Sequence, residues 1–428
     1  MAGSTRCVVV GGGPAGMVLG LLLARGGVDV TVLEKHADFL RDFRGDTVHP
    51  STLTLLDELG LGGWFEALPH SRVDRVELPG TGGRTTTLAD LSRLNIAHPY
   101  IAMAPQWDLL DLLAEAAARE PSFHLAMRHE VTGLLRERDR IAGVNYRTPD
   151  GAEGTLHADL VVAADGRRSA TRRSAGLRPA TFPVPFDAWW FRLPRPAHED
   201  SVGLVPRMAS RRFAVLIPRV GSYQIAYLTP KGEDLRELGI EAFRRDVARL
   251  CPSLGDRVDQ LASMDDVSFL DVRMDRLHRW HTDGLLCVGD AAHAMSPVGG
   301  VGINLAVQDA VAAAALLASP LLRGRVTRAE LATVRARRLA PVAAAQSVQR
   351  AMHRTLIGPV MAGRRSAPPA AVTGLLDRFP ALTVASAHVL GVGLRPEHAP
   401  AFARRAPLPP RQARPARDRA AGPAQRQA

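Results

Sequence analysis

Lysine is almost missing from this chain: of 54 basic residues only Lys35 and Lys231 are lysines, and the rest are arginines. Beside abundant alanine, this reads as a compositional bias rather than a surface built for polyanions. The net charge of +11 therefore bears on solubility and nonspecific attraction, and points to no nucleic-acid partner. Cysteine is scarce as well. Cys7 and Cys287 fall in apolar runs that read as buried strands, and Cys251 precedes a proline. Their spacing suits neither a disulfide framework nor a zinc site, so no metal is expected. No apolar run reaches the about 18 to 20 residues that a membrane span requires. The first strand begins so close to the N-terminus that no signal peptide is expected before it. These absences predict a cytoplasmic protein with no integral membrane segment. A repeat of fixed period is also lacking.

With 428 residues the chain exceeds the roughly 250 to 300 at which single cores stop growing, so two domains are expected. The first has a clear entry. Cys7-Val8-Val9-Val10 is a β-branched run, and Gly11-Gly12-Gly13-Pro14-Ala15-Gly16 follows at once, ahead of an apolar stretch over 17–25 that predicts a helix. Glycine permits a tight turn and lets the backbone approach a pyrophosphate, which then rests on the free N–H groups of the helix start. Gly11, Gly13, Pro14, Ala15 and Gly16 are the candidates for that cradle. A second apolar strand over 28–33 ends at Glu34 and Lys35, near the spacing at which a carboxylate reaches an adenosine ribose.

Further along, the pattern alternates between two kinds of structure. Short strands with glycine turns occupy 73–100, helical periodicity returns at 107–119, and 124–132, 141–147 and 154–157 read as antiparallel strands. A buried strand at 159–164 ends in Asp165-Gly166. Alternating strands dominate 177–280, with a helix at 239–250. Another buried strand, 285–288, delivers Gly289-Asp290, and an alanine-rich helix is expected over 303–317. The fold class is therefore α/β: a Rossmann-like dinucleotide domain discontinuous in sequence (1–72, 101–176 and 281–327), a second, mostly antiparallel substrate domain (73–100 and 177–280), C-terminal helices over 328–400, and a disordered basic tail at 401–428.

Three segments in register carry a family resemblance: Gly11 to Gly16, then Asp165-Gly166-Arg167-Arg168-Ser169, then Gly289-Asp290-Ala291-Ala292-His293 running on through Pro297-Val298-Gly299-Gly300-Val301-Gly302-Ile303-Asn304. Over roughly 6–355 the chain resembles the single-component FAD monooxygenases of the para-hydroxybenzoate hydroxylase type. That resemblance implies non-covalent FAD, with NAD(P)H as transient co-substrate and O2 as oxidant, and hydroxylation of an aromatic or other electron-rich small molecule through a flavin C4a-hydroperoxide. It also implies roles for Arg44, Gln106 and Val131 beside the FAD phosphates, ribitol and adenine, and for Asp165 and Gly166 in serving both FAD and NAD(P)H. Asp290 suits the ribitol hydroxyls as an ionised acceptor. Gly299, Gly300 and Gly302 remove side chains where the isoalloxazine edge must touch backbone, and the helix N-terminus near Ile303 favours the negative charge of reduced flavin; Gly289, Pro297, Val301 and Asn304 are further candidates to bind the FAD.

For catalysis the sequence offers His49, in the loop after Arg44, whose ordinary pKa of about 6.5 suits a base near neutrality. The alternative for His49 is a packed or capping histidine. Arg192, Tyr223 and Tyr227 are candidates to line a substrate pocket, and His293 reads as structural. A monomer or homodimer is expected. The competing readings are a flavin-dependent dehydrogenase or reductase, a redox module without oxygen insertion, and a membrane-surface hydroxylase of quinone precursors using the basic tail. Halogenation is disfavoured, because Trp189-Trp190-Phe191-Arg192-Leu193-Pro194 departs from the halogenase tryptophan spacing. A second GxGxxG unit for a separate nicotinamide domain is absent from the chain.

Overall fold

A computed structural model describes residues 3–40, 46–79, 85–196 and 203–409. Its centre is a sheet in which Leu285–Cys287, Glu153–Ala163, Ser4–Val10, Val30–Glu34 and Phe123–Met127 run parallel, in that order. Both faces are covered at its middle, so the inner strands carry nearly continuous apolar runs rich in Val and Leu, at 7–10, 30–33, 160–163 and 285–287, rather than alternating ones. Helices Pro14–Arg25 and Gly302–Leu322 pack against each other over one face. The hairpin Glu130–Glu137 and Arg140–Arg147 extends the sheet from Glu153–Ala163 in antiparallel fashion.

Two sequence boundaries change. The stretch read as one strand over 124–132 is divided at Arg128, whose φ of 60° turns the chain, and its first half joins the parallel sheet at the edge. Conversely, 154–157 and 159–163 form one eleven-residue strand, Glu153–Ala163, antiparallel to its neighbour at one end and parallel to Ser4–Val10 at the other.

The second sheet is antiparallel, ordered Pro206–Ala209, Arg212–Arg219, Ser222–Pro230, Phe186–Pro194, Ser268–Leu270. Helix Gly239–Leu250 places Phe243, Val247 and Leu250, spaced four and three apart, against Trp189, Phe191 and Tyr227 on one face of it. The other face looks toward the hairpin Arg75–Pro79 and Thr85–Asp90 and the central sheet. Helices Ala370–Arg378 and Ala381–Gly391 close over that hairpin.

Residues 401–409 correct the expected start of the tail. Arg25 donates to the Ala403 carbonyl at 3.0 Å, Leu408 N donates to Gly60 O at 2.9 Å, and the Trp64 indole donates to Pro409 O at 2.7 Å. An arginine-rich composition concealed that this stretch supplies caps for the buried helix ends near Gly60; 410–428 lie outside the described residues. Among the described residues one helix, within Val298–Leu322, is long and apolar enough to cross a membrane, but it is mostly buried inside the fold, where it serves as core.

Candidate active site

A cavity of about 1250 Å³ lies between the two sheets, and the turns that follow three parallel strands open onto it. Strand Ser4–Val10 ends at Gly11, with φ of 102°; a Cβ there would sit 2.7 Å from Ala164 O, and one at Gly16 would sit 2.0 Å from Gly11 O. Those two glycines let strand, turn and helix meet. Gly13 is different. It borders the cavity, and a Cβ on it would meet nothing within 4 Å, so the space it leaves faces a ligand rather than protein. Pro14 and Ala15, at the start of helix Pro14–Arg25, line the same wall. Glu34 borders the cavity while accepting hydrogen bonds from Gly12 N at 2.8 Å and His36 N at 3.0 Å. Lys35, Gln106 and Val131 also line it.

Strand Glu153–Ala163 delivers Asp165, whose carboxylate accepts from Thr171 N at 3.0 Å and from the Ser169 hydroxyl. This clamp fixes the turn in which Gly166, with φ of 81°, leaves open space at the cavity edge. Strand Leu285–Cys287 delivers Gly289 and Asp290. Enclosure raises the Asp290 pKa above its ordinary value, and Arg167, with Nε 3.8 Å from Oδ2, opposes the rise. Pro297, Gly300, Val301 and Gly302 continue the wall. Gly300 adopts φ of 65°, and a Cβ on it would lie 2.8 Å from Thr47 Oγ1, which instead donates to Gly300 O. Two helix N-termini thus face the cavity, flanked by the carboxylates of Glu34, Asp165 and Asp290 and by glycines that leave room. Free N–H groups suit phosphates, carboxylates suit ribose and ribitol hydroxyls, and these residues fit FAD.

Beneath this wall lies a buried charge network. Asp309 accepts from Gly289 N at 3.1 Å and Arg338 Nε at 3.1 Å, and it meets His293 Nε2 at 2.5 Å. These partners hold the Asp309 carboxyl below its ordinary pKa against the opposing effect of burial. His293 is accordingly structural, as its sequence context indicated.

Several expected site residues fall elsewhere. Gly16 and Gly289 shape the turns without lining the cavity. The Asn304 carbonyl oxygen accepts from Ser51 Oγ at 2.9 Å and Thr52 Oγ1 at 2.8 Å, tying two helices together instead of facing the cavity. His49 is fully buried at the N-cap of helix Pro50–Glu58, and it does not line the cavity. Neither of its ring nitrogens makes a hydrogen bond of ordinary geometry. Burial pushes its pKa down to about 4, only partly offset by the Gly299 backbone, so the packed alternative describes it. Tyr223 and Tyr227 are corrected by strand parity: Gln224, Ala226 and Leu228 line the cavity, and the tyrosines project to the opposite face. Tyr227 Oη donates to Asp246 Oδ2 at 2.7 Å there. Arg192 pairs in register with Gln224 and shares its face, with its guanidinium 5.5 Å from the Trp107 ring centre, but it does not line the cavity. Arg44 lies outside the described residues.

Sequence reasoning missed two polar groups. Arg219 donates to Asp46 Oδ2 at 2.6 Å and to Gln224 Oε1 at 2.8 Å, and all three buried residues border the cavity. Burial lowers the Arg219 pKa to about 10. The available signal was alternation: Phe213, Val215, Ile217 and Arg219 share one side of their strand. The second group is Ser296, at the cavity wall, whose hydroxyl lies 2.9 Å from His353 Nε2. His353 opens a π-helical turn, His353–Ile357, and burial lowers its pKa to about 4.

Known proteins share this arrangement. Residues 4–351 match the FAD binding domain family. A 6-methylpretetramide 4-monooxygenase of Streptomyces rimosus is 35% identical over 88% of this chain and 90% of its own length. A rifampicin monooxygenase of Streptomyces venezuelae is 28% identical over 71% of this chain and 62% of its own. The solved structure of OxyS anhydrotetracycline hydroxylase from Streptomyces rimosus superposes with a TM-score of 0.72 at 24% identity, over 91% of this chain and 76% of that one, a likeness of fold. With a family match across most of its length and a cavity whose wall suits the cofactor, the chain belongs to the FAD binding domain family and is an FAD-dependent oxidoreductase of the monooxygenase type.

Proposed function

We propose that the protein hydroxylates a polycyclic aromatic small molecule of the polyketide kind, using non-covalent FAD, NAD(P)H and O2. The observation that carries this reading is the reach and lining of the cavity. It does not stop at the FAD-binding turns but continues between Phe213, Val215 and Ile217 of the second sheet, Leu78 and Ala89 of the hairpin, and Leu382 and Leu390 of the C-terminal helix. An apolar cavity of this volume with a few convergent polar groups suits a large, poorly hydrated ligand oriented by its polar atoms. The 6-methylpretetramide and rifampicin monooxygenases supply the chemical class by similarity.

The chemistry FAD supplies when bound is acceptance of a hydride from NAD(P)H and activation of O2 for insertion of one oxygen atom into an electron-rich carbon. The chain's own residues bind, orient and exclude water. Gly13, Pro14, Ala15 and Glu34 hold the adenosine and pyrophosphate side, and Asp290 the ribitol. Pro297, Gly300, Val301 and Gly302 take the isoalloxazine, with the helix start at Gly302 favouring negative charge there. Arg219 and Gln224 present donors to oxygen groups of the substrate, and the apolar wall keeps water from the reacting atoms. In this reading the parallel sheet is the FAD domain, the antiparallel sheet with the hairpin is the substrate domain, and helices Ala370–Arg378 and Ala381–Gly391 cover the hairpin beside the cavity.

The test is NAD(P)H oxidation by the FAD-loaded protein with and without tetracyclic phenolic polyketides. Stimulated oxidation with a product heavier by one oxygen is expected; identical rates across such a panel would count against the substrate class.

A further inference from the structure

Outside the cavity, five arginines share one flank of the molecule without acidic partners. Arg328, Arg335 and Arg350 lie along helix Arg328–Met352, Arg276 on strand Met274–Leu277, and Arg279 just beyond it. Arg337 and Arg338 on the same helix pair with Glu397 and Asp309, whereas none of the five forms an ion pair among the described residues. Arg350 and Arg276 stand 4.7 and 5.5 Å from the centre of the Phe182 ring, and Arg276 also donates to Gln346 Oε1 at 3.2 Å. Arg335 Nε is buried without a hydrogen-bond partner. Arg328 occupies the first turn of its helix, where the dipole is already positive.

This accumulation is unfavourable in the free protein. Burial first, and then Arg350 and Arg335, lower the Arg276 pKa; burial, and then Arg279, Arg328 and Arg335, lower that of His281. Like charges held together in this way are relieved by an anion, and guanidinium forks match phosphate oxygens in pairs. The stripe also adjoins the cavity. Gln346, which anchors Arg276, donates to Asp275 O and Ala294 O at 2.8 and 3.2 Å. Gln349, next to Arg350, lines the cavity and donates to Ser296 O and Val298 O. The nicotinamide of a reductant has to reach the flavin in this cavity, and the chain has no second GxGxxG unit to receive its phosphates.

We propose that Arg276 and Arg350 beside Phe182, together with Arg335, bind the phosphate groups of the nicotinamide dinucleotide that reduces the FAD. The proposal rests on the monooxygenase reading above.

The test uses FAD-loaded wild type, Arg276→Gln, Arg350→Gln and, as a control on a distant helix, Arg249→Gln. Anaerobic FAD reduction by NADH and NADPH is followed by stopped flow, and binding of 2′,5′-ADP by calorimetry. Loss of one charge-assisted phosphate contact should raise the KM for the dinucleotide about tenfold in each stripe variant, with the limiting reduction rate and FAD content unchanged. Binding of 2′,5′-ADP should weaken in parallel, and Arg249→Gln should behave as wild type. Dinucleotide KM values within twofold of wild type in both stripe variants would overturn the proposal, as would loss of heparin or acidic-protein binding without any change in KM. A wild type that neither dinucleotide reduces would instead refute the monooxygenase reading itself.

Discussion

Asp290 is the residue whose role is most exposed to test. It borders the cavity, its pKa is raised by enclosure, and Arg167 alone stands within 4 Å as an ion-pair partner among the described residues. Asp290→Ala should weaken FAD binding by about 1.5 to 3 kcal/mol, the range for a hydrogen bond to a charged group, measured as the FAD dissociation constant. His49 makes a contrasting case. Its folded pKa of about 4 lies below the unfolded value of 6.5, so the folded state binds fewer protons between those limits. Its contribution to stability is therefore complete above pH 6.5 and is lost as pH falls toward 4, by at most about 3 kcal/mol. His49→Gln should flatten the stability profile across that window while leaving turnover per FAD-loaded molecule unchanged. A large loss of turnover at full FAD loading would return His49 to catalysis. The sequence showed that a histidine stood at this loop, but not that helix Pro50–Glu58 would bury it. Burial depends on residues distant in the chain, such as the turn at Gly299.

At the scale of elements, the glycine turns were legible because their function is local. A strand, a positive φ and a helix start within a dozen residues leave a pattern that does not depend on tertiary packing. Gly300 shows how sharp that requirement is: Gly300→Ala places a methyl 2.8 Å from Thr47 Oγ1 at φ of 65°. It should lower FAD affinity and stability together, as read by flavin fluorescence during thermal unfolding. Strand faces were less legible. In Ser222–Pro230 the aromatic residues drew attention, but register places Tyr223 and Tyr227 under helix Gly239–Leu250 and gives the cavity Gln224, Ala226 and Leu228. A run apolar on both faces carries no parity signal. The end of the chain misled for another reason, since composition does not record backbone hydrogen bonds. Truncation after residue 400 should cost roughly 2 kcal/mol or more in denaturant unfolding, because contacts of about 1 kcal/mol each to Arg25, Gly60 and Trp64 are lost together. Truncation after residue 409 should leave those contacts and the stability intact.

Across the whole molecule, the α/β class and the three segments that meet at the cavity were readable in the sequence, whereas the cavity's far wall was not. That wall is assembled from a hairpin before residue 90, a sheet over 206–230 and helices beyond 370, whose approach is set by packing rather than by motif. The central claim is that these parts together insert one atom of O2 into an aromatic substrate. Its most direct test is product mass after turnover of the FAD-loaded protein with NAD(P)H and a tetracyclic phenol under 18O2 and, separately, in H2 18O. The account predicts one labelled oxygen per product from 18O2 and none from water. Product formed without oxygen incorporation, or labelled only from water, would contradict it.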